Sequence, residues 1–436
     1  MFKTLKNAWG IPELKKKLLF TLLIIVLYRL GASIPVPYVN PNIFEQTSAL
    51  YAGSILEFLN MLSGEALAKA TLFALGVSPY ITSSIVMQLL TIAIPPLERL
   101  SKEGEEGRKK ITAITRMVTV LLALVTSIGY ASFLDANNLL IKDAKFFHYM
   151  VIVACYCAGA ALVMWLAEKI NDNGIGNGIS MILFANIIAG AYTTILSIWE
   201  TAVHSNFHIA IGIALAVFVV LMFLGMMLLI VRMSDAERRI PIQYAKRVVG
   251  RKMYGGQNTN LPLKVNMSGV MPIIFANSIV AIPATITTFI NNPNNGLVKF
   301  VNNWFNYNTW PYVSLFLVLL IAFAYFYVAI SFNPVEVANN IKNNGGMIPG
   351  IRSGRPTIEF VKRVLNRITL VGALLVALIA VFPMMLNIIA GYFGSTAFLS
   401  LAFSGSSMMI VVGVALETVR ELEAQMSLRN YKGFLD

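Results

Sequence analysis

The chain has 436 residues, 57% hydrophobic and only 13% charged, with a formal net charge of +13. A soluble fold cannot hide that much apolar surface behind so few charges, so soluble enzymes and binding domains are excluded and a polytopic membrane protein is expected. The apolar residues form long continuous runs, not short alternating segments, which excludes a membrane β-barrel and predicts helices of about 20 residues per span.

In chain order, a polar head with Lys3, Lys6, Lys15, Lys16 and Lys17 precedes a first apolar window at 18–34. No small-residue cleavage signature accompanies it, so a retained span is expected and not a removed signal peptide. The stretch GSILEFLNMLSGEALAKA, 53–70, gathers Ile55, Leu56, Phe58, Leu59, Met61 and Leu62, but Glu57, Glu65 and Lys69 interrupt it. It is too short and too polar to span. A half-helix dipping back from the external side is expected, which is tolerated only where protein or water surrounds it.

The second window, 71–94, contains GVSPYITSSIVMQLL with Ser78, Pro79, Thr82, Ser83, Ser84 and Gln88. A lipid-facing helix has no use for these groups; they serve either helix packing or the lining of a path, and both readings stand. Windows at 114–134, 149–168 and 178–199 follow. Before the last of these, NDNGIGNGIS at 171–180 carries Gly174, Gly176 and Gly178, which predict a sharp turn at the cytoplasmic face. This is no nucleotide fingerprint, because no strand precedes it. Cys155 and Cys157 point to different faces of one helix and are poor disulfide partners. His148, His204 and His208 sit at external span ends without a second ligand set; they read as interfacial polar residues, and no metal or cofactor is expected.

The external stretch TAVHSNFH, 201–208, divides the chain into halves 1–200 and 201–436, with further windows at 208–231, 269–290, 312–332, 367–390 and 396–418. Five spans per half make the second half enter from the opposite side, which is the parity of an inverted repeat. Two loops are long and basic: 232–268, where RRIPIQYAKRVVGRKMYGG predicts a hairpin-like excursion near Gly255–Gly256, and 333–366, where NNGGMIPGIRSGRP leads into a basic helix, EFVKRVLNR. Such loops either orient the protein or offer a surface to RNA phosphates or acidic protein patches. With the N-terminus inside, every Lys and Arg except Arg29, Lys69, Lys142, Lys145 and Lys299 falls on the cytoplasmic side, so both termini are expected there.

No span carries a charge near its centre; Arg29, Glu168 and Glu417 lie towards span ends. An ion-coupled transporter would place ionisable groups at mid-membrane, and no catalytic signature is present. A path polar at its ends and closed by aliphatic side chains would behave differently, excluding ions by dewetting without chemical preference. The aliphatics of the second, fifth, seventh and tenth spans permit that reading without requiring it, since every membrane helix is rich in them. A secondary transporter for a small solute is the main rival, and a structural scaffold the other.

ALGVSPYITSSIVMQLL at 74–90, WLAEKINDNGIGNGIS at 165–180, RRIPIQYAKR at 238–247 and LPLKVNMSGVMPIIFA at 261–276 carry a specific resemblance. NPVEVANNIKNNGGMIPGIRSGRPT at 333–357 and LRNYKGFL at 428–435 extend it to essentially the full length. The chain resembles the SecY family of protein-conducting channels. The resemblance implies an all-α integral membrane protein with ten transmembrane helices. Two inverted five-helix halves would surround an hourglass pore with a re-entrant plug helix near 54–66. It implies a pore ring of Val77, Ile81, Ile179, Leu183, Ile274 and Ile410, and a plug carrying Ile55, Leu56, Phe58, Leu59, Met61 and Leu62. The second and third spans would face the seventh and eighth across a lateral gate bordered by Thr82, Gln88 and Asn277. Arg238, Arg239, Lys246, Arg247, Arg251, Lys252, Arg352 and Arg355 would form loops meeting the SecA motor or the ribosome. Implied partners are SecE, SecG, SecA, the ribosome, precursor chains bearing signal sequences, membrane lipid, and accessory insertion and export factors. The implied location is the bacterial cytoplasmic membrane. The implied activity is passage of unfolded polypeptide, powered by partners and not by the chain itself.

Overall fold

A computed structural model of the chain describes residues 2–40, 55–141, 146–190, 209–244, 247–249, 252–254, 258–288, 296–305, 309–392 and 405–432. Helices dominate these residues. The first part of the chain holds α1 Phe2–Trp9, α2 Pro12–Gly31, α3 Ile55–Ser63, α4 Ser78–Ala93, α5 Pro95–Lys102, α6 Glu105–Ala136, α7 Phe146–Asn173 and α8 Gly178–Gly190. The second part holds α9 Ile209–Asp235, α10 Met271–Thr288, α11 Gly296–Trp304, α12 Trp310–Ser331, α13 Pro334–Asn343, α14 Arg355–Tyr392 and α15 Gly405–Lys432.

Among the described residues, 4 helical stretches are long and apolar enough to cross a membrane: Glu105–Ala136, Phe146–Asn173, Trp310–Asn343 and Arg355–Leu386. The pair Ser78–Ala93 and Pro95–Lys102, bent by 100°, makes up to 5. Of the other expected windows, α2 opens on Lys15, Lys16 and Lys17, while α8 and the Met271–Pro283 part of α10 are apolar but shorter. The bend has a local cause. Ile94 precedes Pro95, which disfavours the helical region for it, and Ile94 is extended at φ −109 and ψ 111.

Two boundaries differ from expectation. The second helix begins at Ser78 and not near 71, because Pro79 belongs in the first turn of a helix and 71–77 form tight turns, with Gly76 at φ 53. The basic segment EFVKRVLNR is no separate helix but the opening of the 38-residue α14. Nothing between Glu359 and Arg367 breaks the helical pattern, so the cytoplasmic and apolar portions run on as one rod.

The two long loops meet in one sheet. β1 Glu237–Tyr244 pairs antiparallel with a strand at Asn258–Lys264, in register Glu237↔Lys264 to Gln243↔Asn258. Its other edge takes the short strand Gly346–Met347, with Gln243↔Met347 and Tyr244↔Gly346. Ile240 and Leu263 from this sheet pack with Ile348 and with Val361 of α14. The expected hairpin is present as Arg247–Val249 against Lys252–Tyr254, so its strands face each other across 250–251, ahead of Gly255–Gly256. Cys155 and Cys157 are both free thiols.

The largest buried cluster runs from Ile24 and Tyr28 of α2 through Ile81 and Leu183 to Ile274 and Ile410. It joins helices from both parts of the chain at one apolar centre.

Candidate functional site

The glycine-rich turn sets the position of α8. The Asn171 Oδ1 accepts the Gly178 N–H at 2.7 Å, and the Asn177 Oδ1 accepts the N–H groups of Ile179 at 3.1 Å and Ser180 at 3.4 Å. Asn177 is thus the N-cap of α8. Only glycine fits at 178, because a Cβ there would lie 1.9 Å from the Ala167 carbonyl oxygen. With the start of α8 fixed, Ile179 and Leu183 stand one turn apart on the same face. Val77 and Ile81 repeat that spacing at the start of α4, where the Ile81 N–H donates to the Val77 carbonyl at 3.0 Å.

Ile274 arrives from α10 and Ile410 from α15. Val77, Ile81, Leu183, Ile274 and Ile410 are all buried in one cluster, and Ile179 packs against it. Five of the expected ring residues thus belong to one large apolar cluster and the sixth borders it, and Ile81, Leu183, Ile274 and Ile410, from four helices far apart in sequence, also line one cavity. Leu59 and Leu62 of α3 pack against the same cluster, and the Ser407 hydroxyl lies 3.4 Å from the Met61 Sδ. The side chains of Ile55, Leu56 and Phe58 lie outside the described residues.

A cavity of about 330 Å³ opens beside this centre. Ile81, Leu183, Ile274 and Ile410 line it together with Leu59, Leu62, Thr82 and Asn277, and among the described residues no charged side chain does. Its far wall is α6, through Leu122, Val125, Thr126, Tyr130 and Phe133. The cavity lies in the seam where α4 and α6 meet α10.

Of the expected gate residues, Thr82 turns its hydroxyl back to the Ser78 carbonyl at 3.0 Å. Asn277 is 3% exposed, and its Nδ2 has no hydrogen-bond partner among the described residues. Gln88 does not join them. It is exposed, donating to the Ser84 hydroxyl at 3.3 Å. Ser83 answers the packing reading of its helix: fully buried, it donates to the Thr115 carbonyl of α6 at 2.8 Å. The third span, α6, was expected at the gate opposite the seventh, but none of its residues was named. Its signal was faint but present, since Leu122, Thr126, Tyr130 and Phe133 share one helical face carrying two polar groups.

On the loop sheet, Arg238 is exposed on β1, while Arg239 is exposed and pairs with Glu237 at 2.6 Å. Arg352 and Arg355 are exposed at the turn entering α14, where the Arg352 carbonyl accepts the Thr357 hydroxyl at 2.9 Å. One sheet ties the two loops together, so these exposed arginines stand on connected elements. Lys246 and Arg251 lie outside the described residues, as do the side chains of Arg247 and Lys252. The join at 200–201, His204 and His208 also lie outside them; His148 rests on the Tyr38 ring at 4.2 Å.

A family model described as SecY matches residues 71–419. The chain is 45% identical over 446 residues to the protein translocase subunit SecY of Streptomyces coelicolor, covering 100% of both chains. It also resembles a SecY structure described by a plug domain that stabilises the closed state of the translocation channel. There the TM-score is 0.61 at 16% identity, over 94% of this chain and 92% of that one. Sec61 in the canine ribosome–channel complex matches with a TM-score of 0.62 at 15% identity, over 94% and 92%. At such identities these two likenesses speak for the fold.

Proposed function

The chain belongs to the SecY family, and from that membership we propose how its own residues conduct polypeptide. It is the channel subunit of a protein translocase, a multi-pass membrane protein and not an enzyme. Unfolded chains cross through it, and apolar segments leave it sideways into lipid. One observation carries the residue-level reading: Ile81, Leu183, Ile274 and Ile410, from four separate helices, line one cavity together with Leu59 and Leu62 of a short helix.

In this reading the ring of Val77, Ile81, Ile179, Leu183, Ile274 and Ile410 is the constriction of an hourglass pore. Branched aliphatics close on one another without a polar atom, so water and ions meet a dry barrier. They grip no particular side chain, so any unfolded sequence can pass. The helix Ile55–Ser63 is the plug, sealing the ring with Leu59, Met61 and Leu62 on one side. Ten spans in two inverted halves, 1–200 and 201–436, surround the path.

The seam between α4 and α6 on one side and α10 on the other is the lateral gate. Its cavity is mostly apolar, with Ser78, Thr82, Thr126, Tyr130, Asn277 and Ser278 among its lining, which suits a signal sequence: a mostly apolar helix that a few polar groups can orient. Opening the seam lets each segment partition into lipid by its own transfer free energy. Gln88 borders the cytoplasmic end of α4, away from the cavity.

The basic unit made by Arg238, Arg239, Arg352 and Arg355, with Lys246, Arg247, Arg251 and Lys252, faces the cytoplasm. It meets the SecA motor or the phosphates of ribosomal RNA, whose charge complements it. The canine neighbour in a ribosome–channel complex supports the latter partner. SecE clamps the two halves at the back, SecG accompanies it, and both termini are cytoplasmic in the bacterial cytoplasmic membrane.

The test is reconstitution with a SecE subunit in liposomes. Adding SecA, ATP and a precursor should yield protease-protected precursor inside the vesicles. Saturable uptake of a small solute with no protected precursor would favour the transporter instead.

A further inference from the structure

Arg29 is one of the few basic residues outside the cytoplasmic set, and it stands in the last turn of a helix expected to cross the membrane. A charge in that position is costly unless it is paired, and intramembrane cations usually serve a task. Its guanidinium donates to the Gly64 carbonyl through Nη1 at 3.4 Å and to the Ala185 carbonyl of α8 through Nη2 at 2.6 Å. Gly64 ends α3, the helix read above as the plug.

That helix ends in a Schellman motif. The Gly64 N–H bonds the Met61 carbonyl at 3.0 Å, the Glu65 N–H bonds the Asn60 carbonyl at 2.9 Å, and Gly64 sits at φ 65. The motif leaves the Leu62 and Gly64 carbonyls to be satisfied from outside. Asn186 takes the first: its Nδ2 donates to the Leu62 carbonyl at 2.7 Å and to the Tyr28 hydroxyl at 2.9 Å. Asn186 is fully buried, and its amide can face only one way, because a carbonyl accepts and never donates. Gly64 is the residue the clamp needs, since a Cβ there would lie 2.7 Å from the Arg29 Nη1 and 3.0 Å from the Asn186 Oδ1.

We infer that Arg29 and Asn186 form a clamp that sets the resting position of the plug by holding the C-terminal carbonyls of Ile55–Ser63. The inference rests on the reading of that helix as the plug. The clamp suits its target, because a helix C-terminus carries partial negative charge that a cation complements. Both residues come from helices packed beside the ring, so the clamp holds Leu59 and Leu62 against it. They act through the plug and are positioning residues. When a translocating chain displaces α3, these bonds are what must break or turn about Gly64.

The test uses the full-length channel reconstituted with its SecE partner, reading idle ion conductance in planar bilayers. Arg29→Met, Arg29→Lys and Asn186→Ala are each made in the complete chain and in a chain lacking residues 55–63. The inference predicts that Arg29→Met and Asn186→Ala each raise the idle open fraction about tenfold in the complete chain. It predicts a smaller rise for Arg29→Lys, which keeps a cation at the helix terminus, and no further rise for any variant in the deletion chain. A leaky deletion chain beside tight Met and Ala variants would overturn the clamp and leave the plug reading intact. A deletion chain as tight as the complete one would overturn the plug reading and the clamp with it. Equal added leak in both backgrounds, or Lys as leaky as Met, would show general damage to the helix packing and overturn the clamp.

Discussion

Consider Ile81→Ala together with Ile274→Ala. Both side chains are buried, from opposite sides of the seam, in the cluster that closes the proposed ring, and both border the 330 Å³ cavity. Each change removes three methyl or methylene groups, and at about 0.8 kcal/mol per buried CH₂ that is ~2.4 kcal/mol per side chain of packing that favours the dry, closed ring. Part of that burial is against neighbours that do not part when the ring opens, and the two sites share a cavity, so the sum is an upper bound. A third of it, ~1.6 kcal/mol, still exceeds the 1.4 kcal/mol that makes a factor of ten. The prediction is an idle single-channel open fraction raised at least about tenfold in planar bilayers, and further in a chain that also lacks 55–63. Thermal unfolding in detergent serves as the control for integrity. A folded double variant with unchanged idle conductance, in both backgrounds, would refute the assignment of these residues to the seal.

Asn277→Leu should stabilise the resting channel by about 1–3 kcal/mol, because a buried donor without a partner is replaced by an apolar group; export of precursors with weak signal sequences should slow, and faster export would contradict it. Asn177→Ala removes the cap of α8 and should lower stability by about 1 kcal/mol, read as a lower melting temperature. Gly178→Ala should fail to accumulate in membranes, since its Cβ would meet the Ala167 carbonyl. Arg352→Glu should cripple SecA-driven export in vesicles while sparing ribosome-driven insertion more; equal loss of both would count against separate use of the loops.

How far the sequence could be read depended on the kind of signal. The turn before α8 was legible because Gly174, Gly176 and Gly178 announce it, and it is where 171–180 placed it, whereas Ile179 and Leu183 were singled out only by the family resemblance. Ser83 was ambiguous on paper, since a hydroxyl for packing and a hydroxyl for lining look alike; only the Thr115 carbonyl decides it. Gln88 shows the same limit from the other side, standing six residues beyond Thr82 and so on a different face of α4. The third span was expected at the gate, but its residues went unnamed because Leu122 and Val125 are ordinary membrane residues that acquire a role only through what they oppose. The Arg29 contacts could not be read at all. They join residues 35 and 156 positions apart through backbone carbonyls, which carry no mark in a sequence.

The most direct test of the channel reading is site-specific photo-crosslinking. Probes at positions 81, 274 and 410 are placed one at a time in the chain reconstituted with SecE, and a precursor is stalled in mid-passage by a folded C-terminal domain. The account predicts adducts between the precursor's hydrophilic mid-section and all three positions, and none from a lipid-facing control such as Leu121. Adducts at the control, or none at the three central positions while the precursor remains protease-protected, would place the polypeptide path elsewhere.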